Sequence, residues 1–210
     1  MTLPIQGLYV ITDSQLINEN NFIQIVEAAL LGGAKVVQYR EKSDDQQKKL
    51  TQATALKALC HQYTVPLIIN DDVDLAQQVQ ADGVHLGKQD ADLSKARAQL
   101  SAQAIIGISC YNQLNLAKQA IDNGADYVAF GRFFPSKTKP NAVPASVDLL
   151  RQARQQLTCP IVAIGGITPE NGRQLLQSGA DSLAVINGVF AESSPQAVQT
   201  AAHRYFQLTL

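Results

Sequence analysis

This chain of 210 residues lacks several things, and each absence narrows what it can be. Cysteine is scarce. Cys60, Cys110 and Cys159 form an odd, scattered set with no metal-ligand spacing. That pattern predicts reduced thiols in the cytosol, not a disulfide framework or a zinc site. Net charge is nearly absent, at a formal −1. A general role on nucleic acid or at a membrane surface is therefore disfavoured, and any anionic partner must be met by local groups. No apolar run is long enough to span a bilayer. Met1-Thr2-Leu3-Pro4 offers neither the basic flank nor the apolar core of a secretory signal. No linker and no low-complexity stretch interrupts the chain. Together these features predict a cytoplasmic globular protein acting on small molecules.

What is present is a regular alternation. Hydrophobic residues make up 46% of the chain, enough for a sizeable core. Eight short apolar runs read as strands: Gly7–Asp13, Lys35–Val37 running into Gln38, Pro66–Asp71, Gly83–Gly87, Ile105–Ser109, Tyr127–Gly131, Pro160–Ile164 and Ser182–Asn187. A helical pattern follows each one. The expected helices cover Phe22–Leu30, about Asp44–Gln62, a short piece after Asp72, Leu93–Leu100, Leu114–Asn123, Ser146–Leu157, Pro169–Ser178 and Pro195–Gln207. The strands are rich in Val and Ile and apolar on both faces, as buried parallel strands should be. Similar punctuation recurs before strands, in Gly33-Ala34-Lys35, Ala81-Asp82-Gly83, Gly124-Ala125-Asp126 and Gly179-Ala180-Asp181. A glycine there can end a helix in a left-handed residue. Repeated βα units of one type predict a single-domain (β/α)8 TIM barrel over residues 1–210, in preference to an open doubly wound sheet.

In such a barrel the active site lies at the C-terminal ends of the strands. Polar groups do gather there. After strand 2, alternation puts Gln38, Arg40 and Lys42 on one face, and Tyr39 and Glu41 on the other. Two cations and an amide along one face suit an anion; the alternative is a frayed strand end meeting water. Strand 3 ends in Asn70-Asp71, strand 4 leads to Asp90, and strand 5 ends at Ser109. Asp71 and Asp90 exit adjacent strands and would suit Mg²⁺ shared with diphosphate oxygens. Each carboxylate could instead cap a helix, but Asp72 and Asp92 stand ready for that work. Strand 6 opens into Ser136-Lys137-Thr138-Lys139, a run that is either an anion loop or a solvated one. Gly165-Gly166-Ile167-Thr168-Pro169 reads as a Gly-rich turn feeding a helix N-terminus, either a plain tight turn or, as Asn187-Gly188 beside it favours, the usual phosphate-holding corner. His85 lies inside strand 4, where a hydrogen-bonded core or supporting role is favoured over that of a general base. His61 and His203 fall on outer helices. No Ser-His-Asp or Cys-His set suggests a nucleophile. The ensemble implies substitution at a carbon bearing diphosphate, not redox chemistry.

These motifs, taken in order over nearly the whole chain, resemble those of the thiamine-phosphate synthase family. They are Gln38-Tyr39-Arg40-Glu41-Lys42, Asn70-Asp71, Gly83 through Asp90, Ile108-Ser109, Phe134 through Lys139, Gly165-Gly166-Ile167 and Ala184-Val185-Ile186-Asn187. The resemblance implies joining of 4-amino-2-methyl-5-(diphosphooxymethyl)pyrimidine to 4-methyl-5-(2-phosphooxyethyl)thiazole or its carboxylated form. By the family pattern, Gln38, Tyr39, Arg40, Glu41, Lys42, Asn70, Ser109 and Lys139 match contacts to the pyrimidine diphosphate. Arg40, Lys42, Ser109 and Lys139 would assist catalysis, and Asp71 and Asp90 match Mg²⁺ ligands. Ser136, Lys137, Thr138, Gly166, Ile186 and Asn187 match contacts to the thiazole phosphate. Asn187 stands where many members have Ser, and Ser136 replaces a frequent Thr. A thiazole tautomerase on the same fold would not need the cations and carboxylates kept here. Neither would a silent precursor-binding barrel. A homo-oligomer remains compatible with all of this.

Overall fold

A computed structural model describes residues 5–87, 93–135 and 143–210. Its strands are β1 (Gly7–Ile11), β2 (Val36–Tyr39), β3 (Leu67–Asn70), β4 (Gly83–Leu86), β5 (Ile105–Tyr111), β6 (Tyr127–Gly131), β7 (Ile161–Ile164) and β8 (Ser182–Val185). They pair in chain order as a closed barrel, with β8 lying parallel to β1. The helices are α1 (Phe22–Leu31), α2 (Gln46–Gln62), α3 (Val73–Gln78), α4 (Leu93–Gln99), α5 (Leu114–Asp122), α6 (Val147–Gln156), α7 (Pro169–Gln177), α8 (Asn187–Phe190) and α9 (Pro195–Phe206). The (β/α)8 barrel expected from the sequence is the fold observed.

Alternation along the strands builds two cores. Tyr9, Val36, Ile68, Ile105, Tyr127, Val162 and Ala184 point inward and pack together. Val10, Val37, Ile69, Val84, Ile106, Val128 and Leu183 point outward and meet the helices. Both sets are buried, which is why these strands read as apolar on both faces. The inner core is fitted by size. A Cβ on Gly107 would lie 1.9 Å from the Tyr127 ring, so the missing side chain of one strand makes room for the large one on the next.

The N-terminal rim carries a repeated brace. Asp82, Asp126 and Asp181 each precede an even-numbered strand. Each accepts a backbone N–H from the start of the preceding strand: Leu67 at 2.8 Å, Ile106 at 2.8 Å and Ile161 at 2.7 Å. Each also pairs with a cation of the helix before that strand, namely Lys57 of α2, Arg97 of α4 and Arg154 of α6. The turns feeding these aspartates, and the one that feeds Lys35 before β2, share one form. Ala34, Ala81, Ala125 and Ala180 donate back to Ala29, Ala76, Ala120 and Leu175, closing the helix ends in the Schellman manner. The left-handed residue is Gly33, Gly124 or Gly179 in three of them and Gln80, with φ of 53°, in the fourth. Gly83 therefore does not play the helix-ending part expected of it. It lies against β5, where a Cβ would fall 1.9 Å from the Ile105 carbonyl oxygen.

Element ends differ in two further places. β5 runs on through a register shift to Tyr111, whose φ is 53°. The last strand stops at Val185, and Asn187 begins the short α8 where an extended strand end was expected.

Candidate active site

A cavity of about 510 Å³ opens at the C-terminal ends of the strands. Gln38, Asn70 and Ser109 line one side, and Gly165, Gly166 and Ile186 line the other. Tyr9, Tyr127 and Val162 form part of its floor.

The first wall is organised by β1 and β2. Ile11 pairs with Gln38, so the chain beyond β1 runs beside Arg40. The Arg40 N–H donates to Thr12 Oγ1 at 2.9 Å. Its guanidinium donates to the Asp13 carboxylate at 3.1 Å. Asp13 is buried, so this pair holds the guanidinium at the cavity edge. Gln38 is also buried and donates to Tyr9 Oη at 2.7 Å.

Tyr39 and Glu41 face the other way. The Tyr39 ring packs edge-on against Phe22 of α1, and its hydroxyl donates to Gln52 of α2. The Glu41 carboxylate accepts the Ser43 N–H at 2.9 Å and pairs with Lys48 at 2.9 Å. Burial pushes the Glu41 carboxyl up, but the Ser43 N–H and the Lys48 ammonium outweigh it and bring it down to about 2. These side chains fix the segment that carries Arg40 and Lys42 and do not line the large cavity.

At the end of β3, Asp71 has a left-handed backbone, with φ of 63°. Such a conformation is costly for a residue with a Cβ and tends to mark functional positions. Its carboxylate accepts from Lys42 Nζ at 2.7 Å and from Asn70 Nδ2 at 2.6 Å. Helix α3 is capped instead by Asp72, which accepts the Leu75 N–H, as the sequence led us to expect. Asp90, Asp92 and the run Ser136, Lys137, Thr138 and Lys139 lie outside the described residues. Among those described, no three His, Cys, Asp or Glu side chains converge as a metal cluster.

The far wall is backbone. Gly165 and Gly166 have φ of 105° and 63°. A Cβ on Gly166 would sit 2.3 Å from the Pro135 carbonyl oxygen, and one on Gly165 would sit 2.3 Å from Arg132 Cβ. Only glycine fits this turn. Thr168 and Asn171 cap α7 reciprocally, and Asn171 Nδ2 also donates to the Gly166 carbonyl. Ile186, Asn187 and Gly188 face the cavity as α8 starts. Tyr205 of α9 supports both loops: its hydroxyl donates to the Ile167 carbonyl, and a Cβ on Gly188 would fall 2.0 Å from that hydroxyl. Glycine-rich turns and a short helix after strands 7 and 8 are the usual phosphate seat of this fold.

The family model described as thiamine monophosphate synthase matches residues 8–189. This chain belongs to the thiamine monophosphate synthase family. It is 50% identical over 206 residues to a thiamine-phosphate synthase of Nitrosococcus oceani, covering 98% of this chain and 95% of the relative. It is 54% identical over 188 residues to one of Saccharophagus degradans, covering 89% and 87%. The solved thiamine phosphate pyrophosphorylase of Pyrococcus furiosus superposes with a TM-score of 0.87 at 34% identity, covering 97% of this chain and 95% of that one. The chain is thus an enzyme of the thiamine-phosphate synthase type, a transferase. Among the described residues no helix is long and apolar enough to cross a membrane.

Within this synthase-family barrel, one cavity is lined by Gln38, Arg40, Asn70, Ser109, Gly166, Ile186 and Asn187 together. Asp71 and Lys42 line an adjoining depression near Asn70. Sequence reasoning missed Thr12 and Asp13, Arg132, and the inward tyrosines Tyr9 and Tyr127. Thr12-Asp13 stood at a strand exit like the other polar pairs, and that was the available signal. Nothing in an apolar run marks which tyrosine hydroxyls will meet across a barrel.

Proposed function

We propose that the chain condenses 4-amino-2-methyl-5-(diphosphooxymethyl)pyrimidine with 4-methyl-5-(2-phosphooxyethyl)thiazole, or its carboxylated form, releasing thiamine phosphate and diphosphate. The observation that carries this reading is a single cavity with two unlike ends. One end offers Arg40, Asn70 and Ser109; the other offers the Gly165-Gly166 turn and the start of α8. Two phosphorylated substrates can then lie with their rings between the ends.

In this reading Gln38 orients the aminopyrimidine. Arg40, clamped by Asp13, holds the diphosphate, together with Lys42 and Lys139. The donor chemistry at Asp71 fits a hard cation, because the Lys42 ammonium already rests on its carboxylate, which no helix needs as a cap. Asp71, with Asp90, would hold Mg²⁺, which when bound neutralises charge on a departing diphosphate. Diphosphate leaves toward Arg40 and Lys42, and the aminopyrimidine ring stabilises the methylene cation that remains. The thiazole nitrogen then attacks that carbon. Gly166, Ile186 and Asn187, with Ser136, Lys137 and Thr138, hold the thiazole phosphate, and Tyr39 and Glu41 contribute through the backbone of their segment. Catalysis is positioning plus charge stabilisation.

No side-chain nucleophile is called for, and the thiols suit none. Burial pushes both Cys60 and Cys110 up to about 12, far from a thiolate at neutral pH.

The test is direct. Both phosphorylated substrates are incubated with Mg²⁺ while diphosphate and thiamine phosphate are followed. Equimolar, Mg²⁺-dependent formation of the two is expected; isomerisation of the thiazole alone would replace this reading with a tautomerase.

A further inference from the structure

A row of polar side chains crosses the floor of the cavity. Gln38 Nε2 donates to Tyr9 Oη at 2.7 Å. Tyr9 Oη lies 2.9 Å from Tyr127 Oη, which lies 2.9 Å from His85 Nδ1. His85 Nε2 lies 2.9 Å from Ser109 Oγ. The row joins Gln38 on β2 to Ser109 on β5, strands separated in the sheet by β3 and β4. It is built, not incidental. Gly107 gives up its side chain so that the Tyr127 ring fits, and His85 stacks on that ring at 5.5 Å. Gln38 and His85 are among the few buried polar side chains of the barrel.

Such a row has a direction. A phenol carries one proton, and burial keeps both Tyr9 and Tyr127 protonated by pushing their ionisation far up. Once Tyr9 accepts from Gln38, its own proton goes to Tyr127. Tyr127 then gives its proton to His85 Nδ1. A neutral imidazole that accepts at Nδ1 carries its proton on Nε2 and donates to Ser109. The Ser109 hydroxyl proton is left to face the cavity, while Gln38 Oε1 faces it as an acceptor. Turning the Gln38 amide over reverses every link and leaves Ser109 an acceptor. Mixed directions would leave a buried phenol proton with no acceptor in the row.

We infer that Tyr9, Tyr127 and His85 are positioning residues that transmit the hydrogen-bond polarity of the ligand at Gln38 across the barrel to Ser109. This rests on the synthase reading above, in which Gln38 orients the aminopyrimidine; within it, the exocyclic amino group is the donor that Gln38 Oε1 would accept. That donor holds the row in the direction that makes Ser109 a donor, the polarity that suits an anionic leaving group. A ring with an acceptor in place of the amino group would turn Ser109 the wrong way, so specificity at one wall becomes competence at the other.

A double-mutant cycle tests the coupling. Gln38→Ala, Ser109→Ala and the pair are compared by kcat/KM, first in the native protein and then with Tyr127→Phe, which removes the hydroxyl and keeps the ring. In the native background the two losses should fail to multiply, by about tenfold, as expected for members of one network. With Tyr127→Phe they should multiply to within about twofold. Equal coupling in both backgrounds, or independent effects in the native one, would overturn the relay. A second measurement needs no turnover. ¹⁵N-histidine spectra of the protein with the pyrimidine diphosphate bound and the thiazole left out should show His85 as the neutral Nε2–H tautomer, with its Nδ1 signal shifted by Tyr127→Phe. An Nδ1–H or doubly protonated ring would also overturn it. Failure to form thiamine phosphate, by contrast, would remove the synthase reading and leave the tautomer result standing.

Discussion

At the N-terminal rim of the barrel, Asp82, Asp126 and Asp181 each hold an N–H at a strand's start and a helix cation at once. At the C-terminal rim, Asp13 and Asp71 also hold cations, yet the surroundings differ. Asp71 sits on a left-handed backbone, and the Lys42 side chain that meets it is 55% exposed. The brace cations Lys57, Arg97 and Arg154 are all less exposed than that. The same residue types therefore stand in two kinds of setting. A carboxylate that completes a strand end is structural, because its removal strands a backbone donor. A carboxylate on a strained turn, paired with a long exposed lysine, can exchange that partner for a ligand at little cost to the fold.

The sharpest break of this comparison is Asp71→Ala. It should lower kcat/KM by about a thousandfold, in the range seen when a charge-stabilising group is lost, while the thermal midpoint barely moves. Diphosphate release and a melting curve on one preparation check both halves. Asp126→Ala should do the reverse. It leaves the Ile106 N–H and Arg97 without their carboxylate and should cost about 2 kcal/mol in urea unfolding, with kcat/KM within about twofold of the parent. If Asp126→Ala instead abolished turnover at unchanged stability, the division between rims would be lost. Gly166→Ala crowds the Pro135 carbonyl from a left-handed position. It should raise KM for the thiazole phosphate about tenfold and leave KM for the pyrimidine diphosphate alone, a contrast that initial-rate kinetics with each substrate varied would show.

The smallest effect concerns acid. The folded Glu41 carboxyl is held down to about 2, below its ordinary value, by Ser43 and Lys48 despite its burial. Its contribution to stability is complete above the ordinary carboxylate range and fades as pH falls toward about 2. Glu41→Gln should therefore flatten the loss of stability on acidification in that window, measured by unfolding at a series of pH values. At neutral pH it should be the less stable protein, by about 1 kcal/mol.

The barrel was legible because its signals repeat. Strands apolar on both faces, and Ala-Asp or Ala-Lys turns at their entrances, recur through the chain. The N-cap choice at Asp72 was also legible, since cap chemistry is local. What escaped is non-local or too short to have a period. Asn187-Gly188-Val189-Phe190 forms a helix of 4 residues, barely one turn, which leaves no helical period to read after the apolar strand. Tyr9 and Tyr127 lie 118 residues apart and meet only because the barrel closes. The Arg40 clamp was half visible. Its cation stood out by alternation, but its partner Asp13 is 27 residues away on another strand exit.

The braces also make the two parts of the barrel unequal in how local their fastenings are. Each joins a helix, the strand after it and the entrance of the next strand, between Lys57 and Asp82, Arg97 and Asp126, or Arg154 and Asp181. Three quarters of the barrel can thus lock as soon as each stretch has been synthesised, with short loops to close. The quarter holding β1 and β2 has no such aspartate. Lys35 rests instead on the Phe206 ring, Gly32 and Gly33 pack against Ala202 and Phe206 of α9, and Ser182 Oγ reaches the Gly7 carbonyl across 175 residues. β1 and β2 are on this account fastened from across the barrel, by α9 and β8, and not by a brace of their own.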